Sequence, residues 1–517
     1  MFLRRLGLPW LLLGLLLLSA IPALAQDDST LTLTPYTDEA FEIQGVAPEG
    51  WQNAGPGLRA RQSAPGDIVL IAQQAAPATL AQIWPSLLPQ LALSEIPESS
   101  GTYQGGTLEW MLYKIDVNAG GMSVAVDLAL HEGEGISYIV LVQGPPEEYD
   151  ALHSGLFLPV LDAFAPLEAA PVGDLPYIAE DVTFANGDIT LAGTLTLPEG
   201  DGPHPAVVLI TGSGPQDRDE SLAGGGIAIK PFALIADHLT RAGIAVLRYD
   251  DRGVGQSTGD YSIATSADLA TDAAAAITYL QDRPEINAEQ IGLLGHSEGG
   301  TISAWLGARN SDIAFIISMA GTAVNGGDVL TLQNERILTA DGASPETVQA
   351  QLDYLEAAYP LVTAQDNDAL RTLATDYAQK LLDMASEEEL AAIPDQAAFI
   401  QQTVDGTFDF FDNPWARFFL SYNPGEDWAK ITVPVLGVFG ELDLQVIPDQ
   451  NAPALEAALT EAGNTDFTIV TIPQANHLFQ TAESGSPSEY AELEQTFDPA
   501  FLPLITEWLL ERVTVAE

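Results

Sequence analysis

Residues 291–300 read Ile-Gly-Leu-Leu-Gly-His-Ser-Glu-Gly-Gly. The apolar run Ile291–Leu294 has the length and composition of a buried strand. It enters the pentapeptide Gly295-His296-Ser297-Glu298-Gly299, and the helical pattern TISAWLGARN follows at once. Strand, sharp turn and helix form the context in which G-x-S-x-G presents a nucleophilic serine. The flanking glycines lack the Cβ atoms that would obstruct such a turn. Ser297 is therefore the candidate nucleophile. The backbone N–H groups after it, beginning with that of Glu298, face a developing oxyanion at a helix N-terminus.

The pentapeptide alone does not carry this reading, because Gly255-Gln256-Ser257-Thr258-Gly259 matches it too. That copy is separated from the strand-like Ile244–Tyr249 by the polar stretch Asp250–Val254, and no helical pattern follows it. Ser257 reads as a loop residue.

The chain has 517 residues, 47% hydrophobic, which is ample for several globular domains. Its formal charge of −54 is spread without long acidic blocks, so it describes a strongly hydrated surface. This charge disfavours nucleic acid and anionic membranes as partners. Met1–Ala25 has the layout of a signal peptide: Arg4-Arg5, the apolar Leu6–Leu18, and an A-x-A site ending at Ala25. The expected mature chain starts at Gln26, is exported to a secreted or periplasmic location, and carries no later membrane span. With no cysteine, lipid attachment at the cleavage point, disulfides and thiolate chemistry are excluded.

Residues 26–167 alternate in short strands interrupted by helical patterns at Leu80–Ala92 and Glu147–Phe164. A small α+β domain with a helix across one face of a sheet is the expectation. Its phrase FEIQGVAPEGW resembles the PsbP-like sandwich of exported proteins. His131 and His153 stand alone and Trp51 and Trp110 read as core, so no function follows for this domain. Residues 168–176 form a proline- and alanine-rich linker. In the next segment Asn186-Gly187 between alternating runs signals a hairpin.

From Pro205 the chain alternates apolar runs, at Ala206–Thr211, Ile244–Tyr249, Ile291–Leu294, Ile313–Met319, Val433–Phe439 and Asp466–Ile472, with helical patterns. This is the signature of a doubly wound, mostly parallel α/β sheet. The loop Thr211–Glu220, TGSGPQDRDE, has neither the Lys-Ser/Thr pair of a Walker loop nor a G-x-G-x-x-G fingerprint. The phrases PAVVLITGSGPQDRDE, AVLRYDDRGVGQS, IGLLGHSEGG, PVLGVFGELDLQV and QANHLF, in that order, resemble the α/β-hydrolase superfamily, on its esterase and serine aminopeptidase-type branch. The likeness covers about 177–517. It implies a second oxyanion donor in the backbone N–H of Ser213, with its neighbour Gly214 as the alternative.

Among six histidines only His477 lies beyond the last strand, where the order Ser…Asp/Glu…His requires the base. His296 reads as packing, and His204 and His238 as loop and helix-surface residues. For the acid, Glu441 and Asp443 both follow Val433–Phe439; the family pattern matches Asp443. No spaced His/Cys cluster or H-E-x-x-H motif is present, so neither a metal nor a cofactor is implied. Residues 322–430 interrupt the alternation with amphipathic patterns at Pro345–Tyr359 and Asp368–Met384, the position of a helical cap in this superfamily. Of the aromatics near its end, Trp415 and Phe419 are candidates for the wall of an acyl pocket.

The expectation is an exported serine hydrolase that cleaves small carboxylic esters through an acyl-enzyme, with Ser297, His477 and Asp443 as triad. A peptidase or acyltransferase using the same residues is the alternative. A binding protein that has kept the fold is the alternative of another class.

Overall fold

A computed structural model of the protein describes residues 31–515, apart from 65–66, 92, 120–121, 134, 168–174, 223–226, 392 and 394. The signal-peptide reading of residues 1–25 and most of the linker lie outside the described residues. The chain divides into two compact units: one holds the residues before 174 that the structure describes together with the segment 222–229, and the other holds 174–221 and the residues from 230 onward.

The N-terminal unit contains a three-stranded antiparallel sheet of Leu33–Asp38, Ile43–Pro48 and Ala165–Pro166. It also contains a seven-stranded antiparallel sheet, whose strands include Asp67–Ala76, Leu108–Ala119, Met122–Gly133 and Ile136–Gly144. Period-two alternation splits its side chains into two cores. Val126, Leu128 and Leu130 pack with Ile83, Trp84 and Leu87 of helix Leu80–Gln90. Ala129, Val69 and Ile71 pack on the opposite face with Leu156, Phe157 and Val160 of the helical run 149–163. The expectation of a helix on one face is thus corrected: helices cover both faces. Asp127, on the second face, is buried among polar partners, with Tyr149 Oη donating to it at 2.7 Å and His153 Nδ1 at 2.9 Å. His131 Nδ1 lies 2.8 Å from the Glu109 carbonyl. Both histidines are tied into the scaffold.

The second unit is built on one eight-stranded sheet, labelled here β1 (Tyr177–Asn186), β2 (Ile189–Pro198), β3 (His204–Ile210), β4 (Ala245–Tyr249), β5 (Ile286–His296), β6 (Ile316–Met319), β7 (Val435–Gly440) and β8 (Phe467–Ile472). Their order is β1-β2-β4-β3-β5-β6-β7-β8. The β1–β2 and β2–β4 pairs are antiparallel and every later pair is parallel. This is the doubly wound, mostly parallel sheet that the sequence leads one to expect. The central strands are continuously apolar because both faces are covered: every residue of β3 and β6 is buried. The hairpin between β1 and β2 turns on Gly187-Asp188, one residue later than expected, since Asn186 still pairs with Ile189. Only the first central residue needs positive φ (Gly187, +59°), which is the II′ arrangement. His204 is a further correction, being the buried first residue of β3 and no loop residue.

Between β6 and β7 the described residues form seven helices: Gly326–Ala340, Pro345–Ala364, Asn367–Met384, Glu387–Ala391, Gln396–Phe411, Pro414–Ser421 and Gly425–Trp428. The second begins as its sequence dictates, with Pro345 in the first turn and Ser344 Oγ accepting the Thr347 N–H at 3.1 Å. Tyr354, Leu355, Tyr377, Val404, Phe411 and Leu420 close a core of their own, so the insertion is a packed helical cap. No helix among the described residues is long and apolar enough to cross a membrane.

Candidate active site

The parallel strands end on one edge, and the loops leaving that edge assemble the site. At the end of β5 the backbone of Ser297 takes φ +52°, ψ −114°, and helix Glu298–Gly307 starts immediately after. The two flanking glycines permit this turn by close approach. A Cβ on Gly295 would lie 2.1 Å from the Gly299 carbonyl oxygen, and one on Gly299 would lie 2.1 Å from that of Ile210. The Ser297 N–H donates to the Met319 carbonyl at 2.8 Å, which anchors the turn to β6.

The loop after β3 is held by the loop after β4. Asp251 accepts from Thr211 Oγ1 and from the Gln216 N–H, each at 3.0 Å. Asp250 accepts the Arg218 N–H at 2.9 Å and takes its guanidinium through Nε and a terminal nitrogen at 3.0 and 2.8 Å. The two phrases that flank β3 and β4 in the sequence are therefore one hydrogen-bonded unit. Within it, the Gly214 N–H is consumed by Tyr261 Oη at 2.9 Å and the Gly212 N–H by Glu220 at 3.0 Å. The Ser213 and Glu298 N–H groups have no acceptor among the described residues. Of the two alternatives for the oxyanion loop, Gly214 is thus occupied and Ser213 is open.

Ser213, Ser297, Glu298, Trp415 and Phe419 line one small pocket of about 60 Å³, together with Thr322, Val329, Leu330, Gln333, Gln445 and Val446. The cap reaches the elbow through Trp415, whose Nε1 donates to Glu298 Oε1 at 2.8 Å. Its ring stacks on Phe419 at 5.0 Å and 12°. The other aromatics of the segment serve packing: Phe410 and Phe411 join the cap core, and Phe418 and Tyr422 pack against Trp305.

The candidate acid and base are brought together. His477 Nδ1 lies 2.8 Å from Asp443 Oδ2, with both side chains buried. The other oxygen of Asp443 accepts the N–H groups of Gln445 and Val446 at 2.8 and 2.9 Å. Glu441 is instead exposed, and its carboxylate accepts the Gln474 N–H at 3.0 Å. Ser257, the second pentapeptide serine, is a buried strut: it accepts the Ala192 N–H at 2.9 Å and donates to the Asp250 carbonyl at 2.7 Å.

Three side chains here escaped sequence reasoning. Glu298 is 2% exposed, and besides Trp415 it takes Ser266 Oγ at 2.5 Å. Burial raises its carboxyl above the ordinary range, although these two hydrogen bonds oppose the shift. His296, read as packing, bonds Glu220 through Nδ1 at 2.7 Å and the His477 carbonyl through Nε2 at 3.1 Å. Glu220 offered no signal, being one carboxylate among 72 acidic residues.

Comparison with known proteins supplies the wider setting. Residues 222–376 match the family described as serine aminopeptidase, S33, a span that includes Ser297 but ends before Asp443 and His477. The chain is 25% identical over 344 residues to esterase EstD of Thermotoga maritima, covering 65% of this chain and 70% of that one. It is 29% identical over 140 residues to an uncharacterised 31.7 kDa protein of Escherichia coli, covering 27% of this chain and 44% of the other. Among solved structures, an esterase of Pyrococcus furiosus, Pf2001, aligns at 13% identity and a TM-score of 0.39, covering 67% of this chain and 96% of its own.

Proposed function

We propose that this chain, an α/β hydrolase of the esterase and serine aminopeptidase-type branch, is an exported serine hydrolase that cleaves short carboxylic esters through an acyl-enzyme. The observation that carries the reading is the His477–Asp443 pair beside a small pocket that gathers Ser297 with two open backbone N–H groups. In this mechanism Ser297 Oγ attacks the ester carbonyl carbon and His477 takes the hydroxyl proton. Asp443 holds the imidazole with Nδ1 protonated and stabilises the imidazolium that forms. The carbonyl oxygen, now negative, is received by the N–H groups of Ser213 and Glu298. Collapse expels the alcohol, protonated by His477, and leaves the acyl group on Ser297. Water, deprotonated by His477, then attacks the acyl carbon and releases the acid.

Pocket volume supports short acyl groups. About 60 Å³, walled by Trp415, Phe419, Val329, Leu330 and Val446, is far below the several hundred cubic ångströms of a drug-sized ligand site. The test is a panel of nitrophenyl acetate to decanoate esters and aminoacyl anilides on the purified protein. Acetate and butyrate should be fastest, and Ser297→Ala should abolish turnover. Faster cleavage of the anilides would assign the same residues to a peptidase. Export rests on the layout of residues 1–25, and intact mass of the secreted product should then place its N-terminus at Gln26.

A further inference from the structure

The residue before the candidate nucleophile is fully engaged, and by partners whose chemistry is one-sided. The ring of His296 is 3% exposed. Its Nδ1 meets Glu220 Oε1 at 2.7 Å and its Nε2 meets the carbonyl oxygen of His477 at 3.1 Å. A carbonyl only accepts, so Nε2 carries a proton. An ionised carboxylate only accepts as well, so Nδ1 carries one too. Glu220 Oε1 also receives the Gly212 N–H at 3.0 Å, while its second oxygen is buried without a partner. A proton moved onto that second oxygen would have nothing to bond. With Glu220 ionised, the two side chains form a buried imidazolium–carboxylate pair with both ring nitrogens donating.

We propose that Glu220 and His296 are a positioning pair that sets the oxyanion loop and the catalytic histidine against Ser297. This rests on the functional reading above. Glu220 grips the backbone one residue before Ser213, and His296 grips the backbone of His477 while its own chain continues into Ser297. The compactness of the cluster is measured at Gly212. A Cβ built there would lie 3.4 Å from Ser297 Cβ, 3.5 Å from Glu220 Oε1 and 3.7 Å from His296 Nδ1. Glu220 itself sits at φ +58°, a conformation that is strained for a non-glycine residue and persists only where the surroundings enforce it.

The pair also carries a pH dependence. The charged groups facing His296 are Glu220 from the loop after β3, His477 from the loop after β8, and Asp443 from the loop after β7. Burial alone lowers the pKa of His296, but the charge and hydrogen bond of Glu220, with the His477 carbonyl, outweigh it and raise it above the ordinary histidine value. Below the raised value both grips hold. Above it the neutral ring has a single proton, so one of its two contacts loses its donor and turnover should fall. The positive charge also lies against the second imidazole, at a ring separation of 4.8 Å. Glu220 supplies the opposite charge on the other side of the ring.

The experiment uses the full chain in two arms. The kinetic arm compares Glu220→Gln with wild type on nitrophenyl butyrate. Removing the charge should lower kcat about 10- to 100-fold, the cost of about 1 Å of misplacement, with KM changed less than about twofold. The alkaline limb of the kcat–pH profile should move to lower pH. The second arm reads imidazole nitrogens by NMR in the ¹⁵N-histidine-labelled Ser297→Ala chain, His296 being assigned by the signal lost in His296→Gln. Just above the ordinary imidazole value of about 6.5, the His296 ring should still be doubly protonated, and it should not be once Glu220→Gln is added. A neutral ring at that pH overturns the proposal even if Glu220→Gln fails to fold. Unchanged kcat and pH profile in folded Glu220→Gln overturn it as well. If Ser297→Ala hydrolyses esters at the wild-type rate, the functional reading fails, while the ring protonation still stands or falls by its own measurement.

Discussion

Ser297 holds a backbone conformation that serines rarely adopt, φ +52°. Such strain persists at sites where the surrounding structure over-determines it, here by two glycine contacts and an anchoring bond to Met319. Ser297→Ala and His477→Ala should each lower kcat by several orders of magnitude, and the double variant should be scarcely worse than either, because such residues act as a unit. Asp443→Asn should cost up to about 10⁴ by favouring the wrong tautomer of His477. Glu441→Gln should be mild, since that carboxylate is exposed and serves a backbone N–H. The reverse ranking in steady-state kinetics, with folding checked by circular dichroism, would reassign the acid. Ser257→Ala is a different case. It removes a strut between Ala192 and Asp250 and should reduce stability by about 1–3 kcal/mol, read as a shift in the urea midpoint, while sparing kcat.

At the scale of elements, the candidate site is a meeting of strand ends of the parallel sheet with two helices of the cap, Gly326–Ala340 and Pro414–Ser421. Helix Pro414–Ser421 brings Trp415 and Phe419 to the elbow on one face, three to four residues apart as a helical turn requires. Phe419 is 8% exposed and its ring crowds Gly326, where a Cβ would meet it at 2.5 Å. Phe419→Ala should therefore open the pocket without removing the Trp415–Glu298 bond. The ratio of kcat/KM for hexanoate over acetate esters should rise at least about tenfold, the discrimination a methylene or two supports in an apolar pocket. An unchanged chain-length profile would show that Phe419 does not bound the acyl group.

For the whole molecule the dominant fact is a formal charge of −54, set against buried carboxyls. Burial raises Glu298, and raises Asp251 well above the ordinary range despite its bonds from Gln216 and Thr211. For both groups the folded state binds the proton more tightly than the unfolded state. Their contribution is fully present below the unfolded value of about 4 and is lost as pH rises through the folded values. His296 acts in the same direction, its contribution being lost as pH rises from the unfolded value of about 6.5 through its raised folded value. Self-repulsion of the surface adds to this and is screened by salt. Calorimetry should find that Tm falls from about pH 5 to about pH 9 at low ionic strength, and that about 0.5 M NaCl raises it. Glu298→Gln should flatten the pH slope. A Tm indifferent to both pH and salt would contradict this account.

Local chemistry made much of this legible in the chain itself. Strand, turn and helix at 291–300, the capped helix at Ser344, the alternating apolar runs and the ordered positions of Ser297, Asp443 and His477 all depend on neighbours in sequence or on fixed order. Periodicity and glycine placement act over a few residues, so they can be read without the fold. Other features depend on groups that are remote in sequence and adjacent only after folding. Glu220 and His296 are 76 residues apart, and His296 and the His477 carbonyl are 181 apart. Nothing in the composition of a loop marks which of many carboxylates will be buried, which N–H groups will be consumed, or which face of a sheet receives a second layer of helices. Tyr261 closing off Gly214, Trp415 bonding Glu298, and helices on both faces of the N-terminal sheet are outcomes of long-range packing. Folding decides them because burial removes water as a hydrogen-bond partner and obliges each polar group to find one in the protein.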